Sequence, residues 1–482
     1  MPEILGPQPG RRVVTVAPLP PEKCAYALAR YSRSPDSISQ SLEWVRTHDS
    51  SKFLESFYFQ YGHGSIADLG HLTLCFEGMS ELAATEIEDE QLWDGQARSS
   101  RYQNFGTSGF VVPPEIDAHK ARYVDTAARL LTAYKQIHEA MIQHLTDKLP
   151  RPEAMDAAAY KRNIAARAFD VARYCLFWGI PTGVGQVTSI RTLERQIRRF
   201  KASGYQELRD LADEIAEACK QAPSCRIDDN PGSLEPLVPT LAKYIDTDVY
   251  AAQSKVDLKA WAEQMLPELP VSKPIYAVDL IEPRCIESDI AATLLFSVTD
   301  KPYRHLYEIM IERPSLRREV IDVAIRTRTR RDELLTAFRG GPFVYDVIMD
   351  FGAYRDMHRH RRCHQFRQEY TTKLGYEVPP GIVESGLERS YHEVQNEAVA
   401  TFASLPSPAR EYILPFATRG RFLFKMDFAE AEYISRLRSG VKGHFSYRRI
   451  AWEMKLRMDE LHPELGQLIQ ATPPEVEDPL TR

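Results

Sequence analysis

The chain repeats itself, and this constrains its fold more than any single motif, because equivalent residues of a repeat occupy equivalent environments. In "SSRYQNFGTSGFVVPPEI" and "RQEYTTKLGYEVPPGI", Tyr102 and Val112-Pro113-Pro114 correspond to Tyr370 and Val378-Pro379-Pro380. Further on, "ARYCLFWGIPTGVGQVTSIRTLERQIRRF" stands against "AREYILPFATRGRFLFKMDFAEAEYISRLR". A short alternating segment precedes the first stretch in each copy. "HLTLCFEG" sets Leu72, Leu74 and Phe76 on one side, and "FVYDVIMDFG" sets Phe343, Tyr345, Val347, Met349 and Phe351 against Asp346 and Asp350. A period of two predicts strands. The spacing of apolar residues from Lys120 to Leu145 predicts a long helix, and much of the remaining chain reads as helix. The Pro/Gly-bearing stretch from Gln221 to Pro239 is the best linker candidate. The expected organisation is a first copy at 1–225, a linker at 226–270 and a second copy at 271–482.

Composition narrows the class of function. With 43% hydrophobic and 27% charged residues, the 482-residue chain can bury substantial cores. Its net charge of −6 supplies no global attraction to a nucleic-acid backbone or an anionic membrane. Seven scattered cysteines form no CxxC pair, which favours a reducing compartment over a disulfide framework. No apolar stretch reaches membrane-spanning length, and the N-terminal residues lack a signal-peptide core. A cytoplasmic protein with no nucleic-acid or membrane partner is expected.

The most basic segment is "MHRHRRCHQFRQEY", Met357 to Tyr370. It reads as a phosphate-gripping segment, a metal site or a solvated basic face. Metal binding by His358, His360, Cys363 and His364 is disfavoured because the flanking arginines would repel a dication, so no metal is expected. Ser99 lacks the strand-turn-helix context of a hydrolase nucleophile. Arg198-Arg199 and Arg448-Arg449 read as exposed helix faces.

These segments resemble the flavin-dependent thymidylate synthases, whose signature is R-H-R-x-x-S-x-N-x-x-S-x-R-Y after a strand and a short helix. Arg359-His360-Arg361 matches its head in the second copy, where Arg367 and Glu369 replace the serine and arginine of its tail. The first copy has Asp89-Glu90-Gln91 at the head and Ser99-Ser100-Arg101-Tyr102 at the tail. The family's later pattern, A-R-x-x-L-P, then N-A-R-S-L and a late arginine, divides in the same way. The first copy keeps Arg173 and Arg191 but has Phe177 for the proline and Phe200 at the late position. The second keeps Pro415 and Arg438 but has Asp427 and Ala429. The losses are complementary.

The resemblance implies an α+β fold, helix-rich with small antiparallel sheets, in two tandem copies. It also implies FAD as cofactor, with NADPH and methylenetetrahydrofolate as co-substrates and methylation of dUMP, or a related pyrimidine nucleotide, at C5. Arg359, His360, Arg361 and His71 would serve the flavin. Ser99, Arg101, Tyr102, Arg173, Arg191 and Arg438 would serve the nucleotide. "GHGSIAD", Gly62 to Asp68, is similar to the family's H-x-S-P-x-E-H. Because the family builds its sites between subunits of a homotetramer, a homodimer of two-copy chains forming a pseudo-tetramer is implied. Catalytic residues are not assigned. Two alternatives stay open: a non-catalytic relative that keeps the fold as a binding or assembly module, and altered chemistry at Glu369 and Asp427.

Overall fold

The computed structural model describes residues 19–32, 34, 37–48, 64–225, 234–240, 245–266, 277–329 and 335–480. The two strands expected from alternation form as β1 (His71–Ser80) and β5 (Phe343–Asp350). Each runs straight into a short helix capped by the strand's last side chain. Ser80 Oγ accepts from Ala83 N at 3.0 Å to start Glu81–Glu88, and Asp350 Oδ1 accepts from Ala353 N at 2.8 Å to start Phe351–Met357. Each cap satisfies one of the N–H groups that a helix start leaves open. The expected long helix spans Lys120–Lys148. The other strands are β2 (Trp93–Ala97), β3 (Pro181–Ser189), β4 (Val278–Ile281), β6 (His364–Arg367) and β7 (Arg419–Met426).

The fold is α+β and helix-rich, with a three-stranded sheet of order β1-β3-β2 and a four-stranded sheet of order β4-β5-β7-β6. Every pairing in the second sheet is antiparallel, with Tyr345 opposite Phe424 and Val347 opposite Phe422. The alternation in β5 predicted one polar face, yet all eight of its residues are buried. Both faces of this sheet are covered: Phe343, Tyr345, Val347 and Met349 join the main core, while Val344 and Leu423 join a second cluster with Leu295, Phe296 and Tyr303. Asp346 is buried because it has partners, accepting from Arg421 Nε at 2.8 Å and Tyr303 N at 2.9 Å.

The chain divides into two compact units. Of the described residues, the larger holds those within 74–186, 198–212 and 247–482, and the smaller those within 1–73, 187–197 and 213–246. Within the larger unit the two copies share one core. Trp178 of the first copy lies 5.2 Å from Phe351 and 5.5 Å from Phe416 of the second, between ring centroids. Phe177 and Pro415, equivalent positions of the repeat, pair with each other in an antiparallel bridge. Equivalent residues meet only at a twofold axis, so the copies are related here as subunits of a symmetric dimer would be. In the stretch expected as linker, Val249–Met265 is a helix, started by Asp248. In the smaller unit, Ser37 and Gln40 form a capping box for Ile38–Thr47, and Trp44 Nε1 donates to Tyr26 Oη at 3.2 Å. Gly62 and His63 lie outside the described residues. No helix of the described residues is long and apolar enough to cross a membrane.

Candidate functional site

Arg173 opens a single 3-10 turn, Arg173–Cys175, at the end of the helix Ala157–Ala172. It is 1% exposed, a placement that a guanidinium tolerates only with compensation. Nη1 donates to Asp356 Oδ2 at 3.1 Å, whereas Nε and Nη2 are buried with no hydrogen-bond partner. A Cβ at Gly352 would stand 3.3 Å from Nη2, so the glycine leaves this guanidinium its room.

Asp356 gathers arginines from both copies. Burial alone would push its carboxyl up, but Arg173 most strongly, then Arg101, Arg359 and Arg438, hold it well below the usual carboxylate range. Arg101 is buried, with Nε on Asp170 at 2.8 Å, Nη1 on Tyr447 Oη at 2.7 Å and Nη2 on the Lys442 carbonyl at 3.0 Å. The Tyr447 ring lies 5.6 Å from both the Arg101 and the Arg438 guanidinium, a cation–π contact to each copy's arginine. Arg359 Nε is buried and unpartnered. Among the described residues, the direct ion pairs of these four guanidiniums are to two carboxylates, Asp170 and Asp356, with Asp350 near Arg173 and Glu81 near Arg359. The unspent charge and unpartnered N–H groups suit a phosphate dianion, which guanidinium forks bind in bidentate fashion.

Two buried histidines hold these groups in place. Arg438 Nε donates to His360 Nε2 at 2.7 Å, so that nitrogen carries no proton, and Nδ1 faces Glu430 at 3.3 Å. Burial and then Arg438 keep the imidazole below its ordinary pKa, in agreement with a neutral ring. His444 Nε2 stands 2.9 Å from the Asp170 carbonyl, and its Nδ1 accepts from Ser446 N. Burial, Arg173 and Arg101 push its pKa far down.

The structure therefore brings together Arg101, Arg173, Arg359, His360 and Arg438. Ser99 Oγ accepts from Arg101 N at 3.3 Å and so shapes the loop, while Tyr102 is 59% exposed. Arg361 donates to Asp94 at 2.6 Å and lies 5.1 Å from the Trp93 ring centroid. His71, exposed at the start of β1, and Arg191, which donates to Asp68 at 3.2 Å, belong to the smaller unit. Asp427 caps the helix Phe428–Ser439, as Ser189 at the equivalent position caps Ile190–Lys201. Glu369 pairs with Lys259. Contrary to expectation, Arg448 is not on an exposed face: it is 3% exposed and donates to the carbonyls of Ser439 and Val476.

Sequence reading missed Asp356, Asp170, His444 and Tyr447. One signal was available for Asp356: each copy has a carboxylate three residues before its head triplet, Glu86 before Asp89 and Asp356 before Arg359.

The charge inversion in the first copy also has a structural partner. Asp89 lies 2.8 Å from His358 Nε2 and 3.5 Å from Arg367, Glu86 lies 2.6 Å from Arg367, and Gln91 Nε2 lies 2.5 Å from His364 Nδ1. Burial would push His358 down, but its close contact with Asp89 at 2.8 Å and the nearby Glu88 carboxylate raise it to about 9. A folded-state value above the ordinary 6.5 stabilises fully below about pH 6.5, and the benefit is lost as pH rises through about 9. The stability difference between the wild type and His358→Gln, measured by urea denaturation, should shrink across that window. A pH-independent difference would exclude a protonated His358.

The family model described as thymidylate synthase complementing protein matches residues 13–224 and 302–464. A UPF0159 protein of Chlamydia muridarum is 27% identical over 458 residues, covering 89% of this chain and 82% of its own. A UPF0159 protein of Thermoplasma acidophilum is 23% identical, covering 92% and 94%. A flavin-dependent thymidylate synthase of Clostridium tetani is 24% identical over 210 residues, 42% of this chain and 80% of its own. The crystal structure of thymidylate synthase X from Helicobacter pylori with FAD and dUMP is 16% identical at a TM-score of 0.28, covering 46% of this chain and 95% of its own.

Proposed function

The chain belongs to the thymidylate synthase complementing protein family, as a divergent tandem duplication, and on that premise we propose that it binds dUMP or a related pyrimidine nucleotide at one site composed from both copies, and methylates it with FAD. The observation that carries this reading is the cluster around Asp356. Arg101 and Arg173 come from the first copy, Arg359 and Arg438 from the second, and buried N–H groups on Arg173 and Arg359 lack partners.

Each half-signature is incomplete alone, and the cluster needs both. Arg173 presents its free donors to the nucleotide phosphate, while Tyr447 spaces Arg101 from Arg438. A guanidinium held rigidly by buried partners can also stabilise charge that develops on a pyrimidine ring without reorganising as it forms. The residues fit a flavin's phosphates as well: Arg359 Nε is unpartnered, and the only ion pair of Arg361 among the described residues is to Asp94, whose side chain is 86% exposed and easily displaced. FAD, when bound, supplies the hydride chemistry; Arg359 and Arg361 would hold it. His360 serves differently, as the acceptor that fixes Arg438. NADPH and methylenetetrahydrofolate complete the proposed reaction, and pairing of two chains would give the family's pseudo-tetramer.

Flavin absorbance tests the reading. Adding dUMP to the FAD-loaded protein should perturb the flavin spectrum; Arg101→Ala should lose that response while keeping FAD, and Arg361→Ala should weaken FAD while keeping dUMP. A protein that binds dUMP but no FAD would be the non-catalytic relative. One that binds neither would end the proposal.

A further inference from the structure

The repeat gives the Asp356 cluster a counterpart, whose members follow from the same register. Glu86 stands where Asp356 does, Asp89 where Arg359 does, Glu369 where Arg101 does, Phe200 where Arg438 does, and Glu411, in the register that pairs Phe177 with Pro415, where Arg173 does. None of the four arginines survives, and Arg410, the residue before Glu411, lies 3.4 Å from its carboxylate.

The remaining basic groups there are already held by acids of the same chain. Glu86 takes Arg367 at 2.6 Å and Arg199 at 3.1 Å, Glu90 takes Arg199 at 3.1 Å, and Asp89 takes His358 at 2.8 Å. Acid is in excess. Glu411 Oε2 is buried with no hydrogen-bond partner, and its carboxyl is pushed up to about 7, by burial first and also by Glu369. Such a setting repels a phosphate, whereas the Asp356 cluster attracts one. A symmetric homodimer could not make this change, because any substitution would fall on both of its sites. A tandem chain can alter one site and keep the other.

We propose that each chain carries one phosphate site, at Asp356, and that its counterpart around Glu86 is closed to anions by the chain's own carboxylates, which occupy the basic groups in place of a ligand. This rests on the reading of the Asp356 cluster as the nucleotide site. The closed site acts as a seam that binds the copies to each other, with Glu86 and Asp89 as built-in ligands for Arg367, Arg199 and His358.

Calorimetric titration of the full-length protein with dUMP should give one site per chain, abolished by Arg173→Ala and unchanged by Arg410→Ala. Two sites per chain, or equal losses in the two variants, would overturn the inference. If the wild type binds no dUMP, the proposed function fails, and inorganic phosphate then decides the inference separately. In an Arg173→Ala background, adding Glu86→Gln and Asp89→Asn frees the basic groups. Phosphate should then raise the melting temperature saturably, which it should not do in Arg173→Ala alone. Should the triple variant not fold, Glu86→Gln in the same background should show a smaller gain. Absence of any gain in a folded variant refutes closure by carboxylates.

Discussion

Arg173→Ala is expected to weaken dUMP binding by about 100-fold or more, the loss of two charge-assisted hydrogen bonds to phosphate. The same change should destabilise the chain by about 3–5 kcal/mol, because removing one partner of a buried ion pair leaves the other charge uncompensated. Arg173 is 1% exposed, and Asp356, its partner at 3.1 Å, has a side chain 14% exposed. The two effects should separate in Arg173→Lys. A lysine restores the charge opposite Asp356, so much of the stability should return. It cannot aim several coplanar donors at a phosphate, so affinity should stay low. Urea denaturation and dUMP calorimetry read the two quantities independently. Wild-type affinity in Arg173→Lys would show that a point charge is sufficient there.

Asp356→Asn should make the protein's stability depend on phosphate. In the wild type this carboxylate is stabilised by Arg173, Arg101, Arg359 and Arg438 together. Its replacement leaves the guanidiniums repelling each other with Asp170 as the remaining carboxylate in direct contact. In phosphate-free buffer the variant should melt well below the wild type, and inorganic phosphate should recover most of the loss by mass action. If phosphate raises the melting temperature no more in the variant than in the wild type, Asp356 does not balance an anion site. Carboxylate and ligand then act independently.

The sequence exposed the repeat, the strand-and-helix openings of both copies and the four arginines, since these depend on local period and on chemistry that one residue type performs best. Asp346 and Asp350 were read as a polar face because alternation alone does not say that helices cover both sides of a sheet. The partners of the arginines were harder to see. Asp170 and Asp356 lie 186 positions apart, and Tyr447 lies on the helix Phe445–Leu461, so only tertiary packing joins them. Asp89-Glu90-Gln91 showed a charge inversion but not its cause, which is contact between equivalent segments of the two copies. Arg448 carries no mark of burial in its neighbours; its place is set by the C-terminal carbonyls it binds.

The central claim is that neither copy holds a complete site. It is tested most directly by dUMP calorimetry on two single variants, Arg101→Ala in the first copy and Arg438→Ala in the second. Both sit against the same Tyr447 ring. A composite site predicts that each variant alone loses dUMP by about tenfold or more, with the fold retained. Wild-type affinity in either folded variant would contradict it.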